Sequence, residues 1–426
     1  MVKLKNKQYV LSVSFGDYKH TAGGVAKVIL AHQEMFNKNG ISYICIFPLN
    51  LRNGKPVKNN RYWGIIVDGE FDTVMSTHAL IAYFYRLEKE ERNCECIHIH
   101  HLMRIDIQEL SAIVQCFSCK IFFYLHDYYI ICTSIKLIGS NGQLCTKDFL
   151  VPDKCKDCEF YESSLKMKNS LERFVKDVQQ RIWFVCPSKA AQKYFLRQYR
   201  QYEDRTIVVY HQNFLGKYRI PDNVRKTIKI GYAGVPIAAK GWEQFKKLYK
   251  LYGETNQYDF VYFSSVVDTS LPIRNVQVDF KTSLTAMVDA LRREKVDYVV
   301  LWSTWPETYS YTYYESYCAG CCVITNESSG NIADQVNEMQ AGLILSQEEL
   351  FAFFADMDRV ADFRKKYIST KKQVFEILQE NDQIVSMSAC ANSAWVAGEK
   401  QSGWNLAGRL LSFLYKTKLN IKKGGK

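Results

Sequence analysis

Short apolar runs rich in β-branched and aromatic residues alternate along the chain with segments whose apolar positions recur every three or four residues. The runs fall at 9–15, 43–47, 65–67, 96–100, 121–125 and 182–186. A basic stretch at 217–226 follows, and the series resumes at 228–232, 260–263, 298–302, 322–325 and 343–345. Runs this short and this continuously apolar read as strands covered on both faces, with the helical segments as crossovers between parallel neighbours. The pattern predicts an α/β protein of two successive doubly wound, Rossmann-like units. Its expected division is 1–214, 215–394 and a C-terminal helix with basic tail at 395–426 that packs back on the first unit. Ligands of such sheets lie beyond the carboxyl ends of the strands, which puts the expected site in the cleft between the units.

Length and composition agree with this division. A chain of 426 residues exceeds one ordinary core, and 47% hydrophobic with 23% charged residues is globular usage. No apolar run approaches the ~20 residues that span a bilayer. The basic N-terminus leads into an apolar stretch too short for a secretory signal, which gives the expectation of a cytoplasmic protein whose 14 cysteines are thiols or metal ligands rather than disulfides. The net charge of +12 is partly concentrated in Lys416, Lys418, Lys422, Lys423 and Lys426. These follow Leu406, Leu410, Leu411, Phe413, Leu414 and Tyr415, so the terminus reads either as an amphipathic helix for an anionic membrane surface or as a packed helix with a solvated end.

The candidate chemistry gathers where strands end. Glu307 follows the run at 298–302, and Glu315 stands eight positions further, about two turns into the next helix, with Gly320 as its stop. The carboxylates are then ~10 Å apart along the axis. Between them the helix N-terminus offers free N–H groups to an anion. Gly23 and Gly24 follow the first strand, where glycine lets backbone approach a ligand. His126 and Asp127 end the strand at 121–125, and Lys240-Gly241 precedes a helix at Trp242, placed to neutralise a departing diphosphate. His98, His100 and His101 look like a metal cluster, but alternation in and out of a sheet is the preferred reading, with His101 lining the cleft.

Together Gly23-Gly24, His126-Asp127, Pro187-Ser188, Lys240-Gly241 and the Glu307/Glu315 pair resemble the retaining GT-B glycosyltransferases of family four, of bacterial surface-polysaccharide type, over nearly the whole chain. The resemblance implies the GT-B fold, a nucleotide-sugar donor, a glycan or polyprenyl-linked acceptor, retained anomeric configuration and no catalytic metal. It implies catalytic roles for His126, Lys240 and Glu307. Donor contacts would come from Gly23, Gly24, Gly234, Lys240, Glu307, Thr308, Tyr309, Ser310 and Tyr311, with Glu315 on the ribose diol. The chain departs from the family at Gly234-Val235, where members often carry Gly-Arg, and at Tyr309-Ser310, where they tend to carry Phe-Gly.

Cys132, Cys145, Cys155 and Cys158 follow the His-Asp pair, the last two as C-x-x-C, around a Gly139–Gly142 turn. Four thiolates meet the ligand count of a structural zinc site, with free thiols as the alternative and Cys116 and Cys119 as competing ligands. The expected function is a hexosyl-type glycosyltransferase of surface polysaccharide biosynthesis, cytoplasmic and peripheral on the inner membrane face. The alternative is a non-catalytic nucleotide-sugar or polyanion-binding scaffold of the same fold. A glycoside hydrolase has no use for Lys240. A nucleic-acid partner is not expected, because the aromatic residues follow core patterns and no RNA-binding signature is present.

Overall fold

The computed structural model describes residues 4–21, 23–49, 61–145, 149–219, 227–279, 282–371, 374–388 and 406–424. The first sheet is built from β1 (Gln8–Val13), β2 (Ser42–Pro48), β3 (Tyr62–Val67), β4 (Glu70–Ser76), β5 (Asn93–Ile99), β6 (Lys120–Tyr124), β7 (Ile182–Cys186) and β8 (Thr206–Val208). Their order is β4-β3-β2-β1-β5-β6-β7-β8. All pairings are parallel except β2–β3 and β3–β4. After β9 (Gln212–Arg219), the second sheet comprises β10 (Ile228–Ala233), β11 (Tyr258–Phe263), β12 (Arg274–Val276), β13 (Tyr298–Val300), β14 (Cys322–Thr325) and β15 (Gly342–Ile344). It is wholly parallel in the order β12-β11-β10-β13-β14-β15.

That second order reverses direction between β10 and β13, and the first reverses between β1 and β5. At such a switch point neighbouring crossovers leave to opposite faces, which opens a crevice at the carboxyl ends of the strands. The strands are buried along nearly their full length, so their apolar runs carry no alternation: β2 is buried at every position, and β10 at all but Lys229. Separate apolar clusters fill the two faces of the first sheet and surround the second.

Several elements differ from the sequence reading. The strand at 62–67 turns through Asp68 and Gly69, both at positive φ (50° and 89°), into β4. An Asp-Gly pair suits this kind of hairpin turn. Where a basic linker was expected, β9 pairs antiparallel with β16 (Val374–Glu380), Gln212 opposite Glu380 and Arg219 opposite Val374. A two-stranded ribbon has no continuous apolar run to announce it, because its partner lies far along the chain. Beyond β16, Ser388 at the end of the helix Gln383–Ser388 hydrogen-bonds His98 of β5 at 3.3 Å. The terminal helix Leu406–Gly424 lies against β4. There Ser412 Oγ accepts the Val74 N–H at 2.7 Å and bonds Thr73 Oγ1 at 3.0 Å. Residues 389–405 lie outside the described residues.

Candidate functional site between two sheets

The loops leaving β10 and β13 stand on either side of the second switch point. The chain rises from β10 through Gly234 (φ 126°) to a short 3₁₀ turn, Ala238–Lys240. Gly241 (φ 83°) then redirects it into the helix Trp242–Tyr252. A β-carbon at Gly241 would stand 2.3 Å from the Trp302 carbonyl oxygen. Glycine is required here by both conformation and contact, and it presses Lys240 against the loop after β13. Lys240 Nζ accordingly donates to Glu307 Oε1 at 2.7 Å. Glu307, 3% exposed, also accepts from Ser303 Oγ at 3.2 Å.

The Glu307 loop is clamped from behind. Glu307 N–H donates to the Ser329 carbonyl at 3.2 Å, and Asn331 N–H to the Glu307 carbonyl at 2.9 Å. Gly330 (φ 61°) allows this approach, since a β-carbon there would lie 2.6–2.7 Å from Pro306 and Glu307 backbone. Thr308, Tyr309 and Ser310 complete the loop, all buried. The helix Tyr311–Cys318 starts at Ser310 with no side-chain cap. Its start at Tyr311 places Glu315 little more than one turn in, not two, because the Glu307 loop is longer than the sequence pattern suggested. Gly320 (φ 83°) follows its end.

From the first unit, Gly23 (φ 120°) and Gly24 open the helix Gly24–Lys38, and a β-carbon on either would meet nothing within 4 Å. One turn in stands Lys27, which the sequence reading passed over among the apolar positions around it. Its Nζ reaches across to Glu315 Oε1 at 2.8 Å and sits 4.1 Å from the Tyr311 ring centroid. Both side chains are about 5% exposed (5% and 6%). The usable signal was a lysine on the inward face of a helix that follows a Gly-Gly turn. Glu315 therefore meets an ammonium from the opposing unit, and Lys27 joins the residues named earlier.

His126 and Asp127 emerge beyond β6. Asp127 Oδ2 pairs with His101 Nε2 at 2.9 Å, and its Oδ1 accepts the Tyr129 N–H at 2.9 Å. Burial acts to raise the Asp127 carboxyl, but His101 and the Tyr129 N–H outweigh it and hold the group below the ordinary range. His126 Nε2 lies 2.9 Å from His100 Nδ1. Burial depresses it to about 3, against the pull of Asp127, so it is neutral at pH 7. His98 and His100 point to one face of β5 and meet His32, their ligand atoms all within 4.8 Å of one another. The alternation reading missed this grouping because His32 comes from a helix. Burial keeps all three imidazoles neutral.

Direct bonds join the two sides. Thr308 Oγ1 donates to the His126 carbonyl at 2.5 Å, and Ser188 Oγ to the Thr308 carbonyl at 2.6 Å. Ser188 also caps the helix Lys189–Gln198. Gln212 of β9 bonds Glu380 of β16 at 3.0 Å. Burial raises the Glu380 carboxyl to about 7; Lys27 and Gln212 oppose the rise, while Glu315 and Glu34 reinforce it. Glu380 was not anticipated, since nothing in its sequence neighbourhood shows that β16 returns to the cleft. The four cysteines stand apart from this site, around a cavity beside the His-Asp loop. Cys116 and Cys119 do not compete with them: both are buried in the apolar core, Cys119 3.9 Å from Cys94.

No family model matches the chain, and no curated protein matches it in sequence. Among solved structures it is similar to S. aureus TarM, in a variant complexed with fondaparinux, alpha-GlcNAc-glycerol and UDP. The TM-score is 0.50 at 9% identity, covering 89% of this chain and 98% of that one. Another TarM structure gives 0.50 at 8% identity over 97% and 98%, and a GtfA/B complex gives 0.50 at 9% over 86% and 97%. Identity this low carries architecture alone. With its two doubly wound sheets and the strand orders above, the chain has the GT-B fold.

Proposed function

We propose that this chain is a retaining glycosyltransferase. It would take a sugar from a nucleoside-diphosphate donor and pass it to a hydroxyl of a glycan or polyprenyl-linked acceptor, in surface polysaccharide synthesis. The observation that carries the reading is the meeting of Lys240 with Glu307, and of Lys27 with Glu315, around the uncapped start of the helix Tyr311–Cys318. Two buried carboxylates suit sugar and ribose hydroxyls, and two cations with free N–H groups suit the diphosphate between them. TarM was crystallised with UDP, which has that diphosphate and ribose.

In the proposed reaction the bond from the sugar's anomeric carbon to the phosphate oxygen breaks, and its electron pair leaves with the diphosphate. The acceptor oxygen forms the new bond on the same face, and its proton passes to the departing phosphate oxygen. Lys240 and the helix start neutralise the charge that develops, where fixed charges act most strongly. That is the positive charge a metal ion would otherwise supply. Lys27 provides the second cation that Gly234-Val235 does not, and it does so from the facing unit, so closure of the two units assembles the site. His126, neutral at pH 7, would hydrogen-bond sugar hydroxyls rather than carry charge.

A lipid-linked acceptor agrees with the terminal helix. Leu410, Phe413 and Leu414 are 62%, 68% and 46% exposed on one side of it, with Arg409 and Lys416 beside them. That combination suits the anionic inner face of a membrane. No helix among the described residues is long and apolar enough to cross one. Sedimentation with liposomes should require acidic lipid, and sedimentation that ignores lipid charge would remove this part of the reading.

The donor reading is tested by saturation-transfer NMR with UDP-, GDP-, ADP- and dTDP-sugars on wild type, Lys240→Ala and Glu315→Ala. Binding of one nucleotide class, lost in both variants, is the expected result. No binding by folded wild type, or binding indifferent to both changes, would overturn it. Donor binding without turnover on any glycan or lipid-linked acceptor would favour the scaffold role.

A further inference from the structure

We propose that Cys132, Cys145, Cys155 and Cys158 hold a structural zinc ion that fixes the loop carrying His126 and Asp127. Among the described residues these four are the partly exposed cysteines, whereas the other nine are buried. They arrive from separate pieces of chain. Cys132 closes the turn after Tyr128, its N–H bonded to the Tyr128 carbonyl at 2.8 Å. Cys145 follows the small hairpin closed by the Ile138–Leu144 bridge. Cys155 ends the short helix Pro152–Cys155, and Cys158 follows three residues later, its N–H bonded to the Cys155 carbonyl at 2.9 Å. All four line one cavity of 280 Å³, together with Phe149 and Phe160.

A hydroxyl beside the cavity is aimed at sulfur. Cys132 accepts from Ser164 Oγ at 3.6 Å. A thiol is a weak acceptor, while a metal-bound thiolate is a strong one that such outer-shell donors orient. The fold supplies a further argument. Among the described residues no helix or strand lies between β6 and Pro152, yet Ile135, Leu137 and Leu150 have positive φ (69°, 56° and 56°). An irregular stretch of this length inside a compact unit needs something to fix it, and strained residues persist only where their surroundings over-determine them. A tetrathiolate clip does both.

The sulfurs ring the cavity more openly than the site requires: the ligand atoms already within 4.8 Å of one another belong to His32, His98 and His100 instead. Zinc–sulfur bonds of ~2.3 Å would draw the thiols inward. Binding replaces four S–H protons by one Zn²⁺, leaving two net negative charges beside Lys154, so affinity rises with pH. The neutral histidine cluster lacks a comparable anionic ligand. The four thiols offer the softer and more selective zinc set.

The test is elemental analysis of the full chain purified without chelator, alongside Cys155→Ser, Cys158→Ser and Cys116→Ala. About one zinc per chain is expected in wild type and Cys116→Ala, falling to a trace in the other two. Should those variants be insoluble, wild type exchanged with Co²⁺ is expected to show sulfur-to-cobalt charge-transfer bands, and mercurial titration of its thiols to release zinc in step. A trace of zinc in wild type, iron in its place, a full complement in Cys158→Ser, or cobalt spectra without thiolate bands would overturn the assignment. None of these readouts depends on glycosyl transfer, so the result stands apart from the donor reading.

Discussion

At the scale of single residues, the two cross-loop ion pairs differ in kind. Lys240 is 38% exposed by its side chain and pairs with a buried Glu307, so Lys240→Ala should leave the fold intact. If it stabilises the leaving group, turnover should fall by about 10²–10³, the cost of removing one preorganised electrostatic contact. Circular dichroism and donor turnover on the same sample check this. Lys27 and Glu315 are both buried, and removing one partner strands the other charge. Lys27→Met should cost roughly 3–5 kcal/mol. Lys27→Met with Glu315→Gln should recover much of that, and urea titrations of the singles and the double close the cycle. Glu380, raised to about 7, titrates near physiological pH while facing Lys27, Glu315 and Glu34. Its deprotonation adds negative charge beside the proposed diphosphate, so donor affinity should weaken as pH rises through about 7. Glu380→Gln should flatten that profile, and a profile unchanged by the substitution would place Glu380 outside the donor site.

At the scale of elements, two glycines set the site by letting backbones touch. Gly330 has positive φ and no room for a β-carbon against Pro306 and Glu307. Gly330→Ala should cost about 1–3 kcal/mol for its positive-φ backbone (φ 61°, ψ −120°) alone. Pushing the Glu307 loop aside should also weaken donor binding, which calorimetry and a melting curve separate. The terminal helix covers β4, the edge of the first sheet, through Ser412. Tyr415 of the same helix donates to Asp17 Oδ2 at 2.9 Å, in the loop that leads to Gly23. A chain truncated at 405 should expose that edge and aggregate, as light scattering would show, because an unpaired edge strand is a template for pairing.

At the scale of the whole molecule, the buried histidines dominate the response to acid. His32 is 5% exposed and lowered to about 3, and His98, His100 and His211 are also depressed by burial. The unfolded chain binds these protons first, from an ordinary value near 6.5. Folding stability is therefore full above that value and falls as pH drops toward the folded value, by about 1.4 kcal/mol per unit for His32 alone. Glu380 has the opposite sign: its raised carboxyl favours the fold at low pH and loses that contribution through about 7. With His126 lowered to about 3 as well, five histidines act together against the raised carboxyl, so the melting temperature should drop steeply between pH 6.5 and 5. An acid-insensitive melt would contradict their buried, neutral state.

Much of the architecture was legible in the sequence, because strands buried on both faces must be continuously apolar and crossovers between them must be helical. Glycine after a strand, glutamate before a helix and a lysine before Gly241 were legible too, since turn conformation and helix ends impose local residue types. What only the tertiary structure decided were pairings between segments far apart in the chain. Lys27 on Glu315, Glu380 beside them, the His32–His98–His100 cluster and the β9–β16 ribbon each join residues far apart in the chain. Their energies come from burial and from charges meeting in low dielectric, and these exist only once distant segments have packed together.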